Sequence, residues 1–205
     1  MYIDLTHEFN PSMPVFPGDT APELVKTADV FKDGISDYQI KSGMHTGTHI
    51  DAPAHMLVGG KNLNEYPVAR FFGRGVLIDA RGKSMADVEL LENVTIEKND
   101  IVLVMFGWSS EFGNDEYYLN YPVITENFGS RLAVLGVSIL GLDTPSPDRA
   151  PYQVHKILFK HDILIIENLT NLEALVGHGS FEVTALPAKF QTDAAPARVV
   201  AKSIS

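Results

Sequence analysis

The feature that most narrows the fold is a set of short, unbroken apolar runs. Residues 76–79, 101–106, 138–142, 163–166 and 197–200 are rich in Val, Ile, Leu or Ala, with Gly, Asp or Asn nearby as punctuation. Each run is the length of a strand, and none approaches the roughly 18 apolar residues of a membrane-spanning helix. Several show little polar–apolar alternation, which predicts strands buried on both faces. Residues 2–6 read as a looser first strand. Helical signals are thinner and fall at 85–92, about 124–135 and 152–160. The expected fold class is therefore α/β or α+β, strand-rich with few helices, with residues 1–205 forming a single domain. Periodicity leaves the topology open.

Composition excludes several functions. Asp and Glu total 26 against 16 Lys and Arg, a formal charge of -10. Such a chain repels phosphate backbones and anionic lipid, so neither nucleic acid nor membrane is an expected partner. The absence of cysteine removes disulfides, thiolate nucleophiles and thiolate metal sites. The first ten residues have neither a basic start nor an apolar core, so no signal peptide is expected, and the default location is cytoplasmic.

Chemistry concentrates in residues 44–56, M-H-T-G-T-H-I-D-A-P-A-H-M. Three of the seven histidines lie here: His45, His49 and His55. Thr46, Gly47, Thr48 and Pro53 disfavour a helix, and in an extended segment His45, Gly47, His49 and Asp51 would share one side. Gly47 would then leave open space between the imidazoles for a metal or substrate. Asp51 before Ala52-Pro53 reads as a helix cap, placing His55 on a short turn after the strand. One histidine alone is usually a hydrogen-bonded structural residue. Three with a carboxylate, however, would repel one another when charged and need partners when neutral. Two imidazoles and a carboxylate suit Zn²⁺, Mn²⁺ or Fe²⁺.

A second stretch spans 155–172. His155 falls on the expected helix, and Glu167 closes an Ile-rich strand where a carboxylate is unusual. His161 lies at a turn and reads as exposed or structural. His7 and His178 have similarly neutral readings. Residues 10–20 form a Pro-rich loop that nevertheless carries Met13, Val15 and Phe16.

The run H-T-G-T-H-I-D-A-P-A-H resembles the signature H-x-G-T-H-x-D-x-P-x-H of the metal-dependent cyclase family, whose members include bacterial kynurenine formamidases (arylformamidases) and isatin hydrolases. His45, Gly47, Thr48, His49, Asp51, Pro53 and His55 match its fixed positions. Further landmarks follow in order: Asp4-Leu5-Thr6, the segment 14–19, the segment 141–148, and His155 with Glu167-Asn168-Leu169. The resemblance implies a swivelling β/β/α domain and a two-metal site. In that site His45, His49 and Asp51 would hold one ion, and Asp51 would bridge to a second that His155 also binds. Glu167 would contact one or both ions, Zn²⁺ or Mn²⁺. It further implies that His55 is the catalytic proton donor and acceptor. Phe16 falls where formamidases typically carry a tryptophan against the substrate ring. A homodimer or homotetramer is implied too, with the N-terminal loop lining a neighbour's site.

The activity implied is hydrolysis of an amide C–N bond by a metal-activated water, with N-formylkynurenine as the first substrate to test. Hydrolysis of a cyclic amide such as isatin, or of another small amide or lactone, is the alternative. Two readings from other classes also stand: a non-catalytic metal-binding module, and a metal-dependent oxidoreductase.

Overall fold

A computed structural model describes residues 1–114 and 116–204. In chain order the elements are β1 (Tyr2–Asp4), β2 (Glu23–Ala28), α1 (Val30–Asp33), β3 (Asp37–Lys41), β4 (His49–Asp51), β5 (Phe72–Asp79) and β6 (Met85–Ala86). There follow β7 (Ile101–Met105), β8 (Val123–Ile124), α2 (Glu126–Leu135), β9 (Ile139–Leu142), α3 (Gln153–Lys160), β10 (Leu164–Glu167), β11 (Phe181–Pro187) and β12 (Ala194–Ser203). Strands dominate, and no helix among the described residues is long and apolar enough to cross a membrane.

Seven strands close on themselves in the order β12–β11–β5–β7–β9–β10–β4, because β4 pairs with β12 as well as with β10. The segment β5–β7–β9–β10 is parallel, and the remaining pairings around the ring are antiparallel. Closure leaves no free edge in the ring. The unbroken apolar runs are explained by two hydrophobic cores on opposite faces of the same strands. Ile101, Leu103 and Met105 of β7 point into the barrel with Ile50, Leu164 and Ile166. Val102 and Val104 point outward with Leu140 and Ile165, under Phe128 and Leu132 of α2 and Val154, Leu158 and Phe159 of α3. Each fully buried Ile or Leu in these layers contributes roughly 1.5–3 kcal/mol.

Three expectations change. Residues 85–92 are not one helix: Met85–Ala86 is a strand, Asp87 accepts from the Val88 N–H and the Thr125 hydroxyl, and only a 3₁₀ turn follows at Val88–Leu91. An aspartate that captures its neighbours' donors favours a cap over a helix interior. Two elements carried no clear apolar signal. One is β11, whose burial alternates and whose Phe181 ring covers Gly75 on β5. The other is the β2–β3 hairpin, which carries polar and apolar residues alike and is largely exposed. Its apolar side chains include Val25, Ile35, Tyr38 and Ile40, and Phe31 on α1 is 99% exposed. The third change, around Asp51 and Gly47, belongs to the site.

Candidate metal centre

The site forms where β4 meets β10 on the helix-covered face of the barrel. Register does the placing. His49 pairs with Glu167, Ile50 with Ile166, and Asp51 with Ile165. Side chains alternate along a strand, so Ile50 enters the barrel core while His49 and Asp51 stand on the other face beside Glu167. On α3, Val154, His155, Leu158 and Phe159 form the buried stripe, which turns His155 toward the same point.

Two triads converge there and share Asp51. His45, His49 and Asp51 bring ligand atoms within 4.8 Å of one another, as do Asp51, His155 and Glu167. Asp51 Oδ1 lies 2.9 Å from His45 Nδ1 and 3.3 Å from His49 Nε2. Glu167 lies 3.4 Å from both His49 Nε2 and His155 Nε2. His49 Nε2 and Asp51 Oδ1 are buried and make no hydrogen bond among the described residues. Leaving such groups unpaired is costly, so the donor set fits divalent cations.

The imidazoles are oriented from behind. His49 Nδ1 donates to the Gly47 carbonyl at 2.7 Å, which leaves Nε2 for the site. His155 Nδ1 donates to Asp148 Oδ1 at 2.6 Å, and Asp148 Oδ2 accepts the Val154 N–H at the start of α3. Asp148 closes the landmark segment 141–148. Its signal in the sequence is only its place ahead of the His155 helix. Burial lowers the pKa of His45 and His155, but neighbouring carboxylates win. Asp51 and then Asp193 raise His45 to about 9, and Asp148 and Glu167 raise His155 to about 9. His49 is raised for the same reason, while burial of Asp51 and Glu167 is outweighed by the histidines, which lower both.

The local backbone differs from the extended row expected. Asp51 is the last residue of β4 and does not cap a helix. Ala52 occupies that position, with Pro53 opening the 3₁₀ turn Pro53–His55. His45 and Gly47 precede the strand, and Gly47 has φ +66°. The space beside Gly47 holds no substrate: a Cβ there would meet Met13 Cε at 2.5 Å. Met13 is thus buried within its own chain.

His55 sits on its turn at the rim, its ring 4.2 Å from that of His45 and 6.1 Å from that of His155. A cavity of about 310 Å³ opens over the cluster, lined by Phe16, Asp19, Met56, Tyr118, Tyr152 and the site histidines. Phe16 meets Tyr118 edge-to-face at 5.6 Å. The remaining histidines lie elsewhere. His161 is exposed at the end of α3, and His178 follows a 3₁₀ turn. His7 stacks on Phe112 at 3.7 Å, and burial lowers its pKa to about 4. Asp143 stays in the frame: burial raises its pKa to about 6, although it accepts three backbone N–H groups from 106–108.

A family model described as "Putative cyclase" matches residues 3–149, most of the chain. The chain belongs to the cyclase family. Among cyclase-family relatives it is similar to a kynurenine formamidase of Erythrobacter litoralis, 30% identical over 91% of this chain and 86% of the relative. It is also 30% identical to a kynurenine formamidase of Bacillus cereus, over 99% and 98% of the two chains. A solved structure described as a potential metal-dependent hydrolase with cyclase activity matches with TM-score 0.85 and 27% identity, covering 100% of this chain and 98% of that one. Isatin hydrolase A from Labrenzia aggregata shares the fold, with TM-score 0.87 and 24% identity over 98% and 93% of the two chains.

Proposed function

We propose that this chain is a metal-dependent amidohydrolase that releases formate from an aryl formamide, with N-formylkynurenine as the leading substrate. The observation that carries the reading is the pair of triads sharing Asp51, with two buried ligand atoms lacking hydrogen-bond partners. The relatives' names support the same class of reaction. In this reading residues 1–205 act as one domain. His45, His49, Asp51, His155 and Glu167 hold two divalent ions, Zn²⁺ or Mn²⁺. Bound there, such ions supply Lewis-acid activation of water and of the amide carbonyl.

The chain's own groups do the rest. The ring of Phe16 and the phenol of Tyr118 form an apolar wall for the aryl group. The water oxygen bonds to the formyl carbon, the C–N bond breaks, and its electron pair stays on nitrogen. His55 accepts one water proton and passes it to that nitrogen, since an imidazole can take a proton on one nitrogen and give it back. The other water proton leaves with formic acid.

A cyclic amide of the isatin type is the second reading, favoured by the shared fold and by phenylalanine standing at position 16 in place of tryptophan. We read the protein as a cytoplasmic homodimer or homotetramer, since the β2–β3 hairpin and α1 offer exposed Phe31, Tyr38 and Ile40 for a second copy to cover. The test is elemental analysis of the purified protein, reconstitution with each metal, and turnover of N-formylkynurenine and isatin side by side. Metal uptake with turnover of neither substrate would sink the hydrolase assignment.

A further inference from the structure

Asp193, just ahead of β12, was not signalled by the sequence, yet one of its oxygens joins both histidines of the outer rim. Oδ2 is 3.0 Å from His45 Nε2 and 3.1 Å from His55 Nδ1. Its side chain is 36% exposed, but its backbone is fixed. The Ala52 N–H donates to the Asp193 carbonyl at 2.8 Å, the Leu63 N–H donates to the Thr192 carbonyl at 2.9 Å, and Ala194 pairs with Asp51. The carboxylate is therefore built onto the strand that bears Asp51 and onto the turn that bears His55.

We propose that Asp193 is a positioning residue for proton transfer: it holds His55 with Nδ1 protonated, leaving Nε2 to exchange a proton with the substrate, and locks that ring to the ligand His45. The proposal rests on the hydrolytic reading above. A neutral imidazole has one N–H and one lone pair, so a carboxylate that accepts a hydrogen bond from Nδ1–H fixes which nitrogen is free. A carboxylate that orients a proton-transfer histidine does so through the tautomer and the ring position. The same oxygen accepts a hydrogen bond from His45 Nε2, which leaves Nδ1, 2.9 Å from Asp51 Oδ1, as the nitrogen available to a metal ion. His45, His55 and Asp193 lie close enough to hold an ion themselves. An ion there would use the second nitrogen of His45 and require that ring to lose both protons, which disfavours that alternative.

The test compares wild type with Asp193→Ala and Asp193→Glu, metal-loaded, on two substrates. One is an aryl formamide, whose nitrogen must be protonated to leave; the other is phenyl formate, whose phenolate leaves readily. Asp193→Ala should lower kcat for the formamide by roughly 10- to 100-fold. KM should change by less than about threefold, kcat for the ester should fall by less than kcat for the formamide because only its water-activation step uses His55, and metal content should be retained at saturating metal. Asp193→Glu should recover part of the loss. In a His55→Ala background, Asp193→Ala should cost little more, because the two act as one unit. Equal losses on both substrates, loss of a metal equivalent, or an undiminished effect without His55 would overturn the assignment. A second measurement does not depend on turnover: ¹⁵N-histidine NMR of the protein, with His55 assigned by its loss in His55→Gln. An Nδ1–H tautomer that is lost in Asp193→Ala supports the proposal, and an Nε2–H tautomer in the wild type overturns it. Should neither substrate turn over while the Nδ1–H tautomer is seen, the hydrolytic reading fails and the positioning contact stands.

Discussion

The site has two halves built to different standards. The inner half, His49, Asp51, His155 and Glu167, is buried and mounted on β4, β10 and α3. The outer half, His45, His55 and Asp193, is partly exposed and carried on turns and strand flanks. Regular elements hold a group more tightly than loops do, and the inner half carries the groups that would bear fixed charge against cations. Both halves line the cavity, His49, His155 and Glu167 with buried side chains and His45 and His55 with partly exposed ones, and it is the exposed rings that stand where a proton has to move and a substrate has to enter. The contrast teaches that rigidity and access are divided between neighbouring residues of one short segment, with His49 on one side of the division and His45 and His55 on the other.

The comparison can be broken most decisively from inside. His49→Ala should abolish activity and lose bound metal, measured by elemental analysis after dialysis. His55→Ala should leave metal nearly intact and lower kcat by roughly 10²- to 10⁴-fold. Full activity in that variant would erase the distinction between the halves. Asp148→Asn removes the support behind His155 and leaves every proposed ligand in place. Its expected cost is about 10- to 100-fold in metal affinity, read by competition with a chromogenic chelator. Phe16→Ala removes an aromatic wall alone and should raise KM by about 2- to 10-fold at unchanged kcat.

The smallest effect is on stability. His45 and His155 are raised from 6.5 to about 9 in the folded chain. A group whose pKa rises on folding stabilises fully below its unfolded value, and that contribution is lost as pH climbs through the folded one. Chelator-treated protein should therefore show a falling Tm between about pH 6.5 and 9, flattening when metal is restored because ligation replaces the proton. A metal-free Tm that stays level across that window would contradict the charged state assigned to these rings.

The sequence was most legible where one residue type carried the signal. The apolar runs located β5, β7, β9 and β10 because burial on both faces leaves few polar positions, and the histidine spacing marked the candidate ligands. Asp148 and Asp193 escaped because aspartate is common at turns and strand ends. What distinguishes these two is a partner seven residues away on a helix in one case, and partners 148 and 138 positions away in the other. Gly47 offers open space for a metal or substrate when only its neighbours in sequence are considered, whereas Met13 from the distant N-terminal loop packs against it. Asp51 looked like a cap because Ala-Pro follows it, but pairing with both β10 and β12 carried the strand through it.

That double pairing has a further consequence. A slip of β4 by one residue would turn His49 and Asp51 into hydrocarbon and bring Ile50 out among the charges. Such a slip would have to occur against two neighbours at once, inside a ring that cannot open at an edge. Exchange of one cation for another should then leave the cage standing, with the choice of ion governed by ligand chemistry and supply, while the strands that carry the cage keep their alignment.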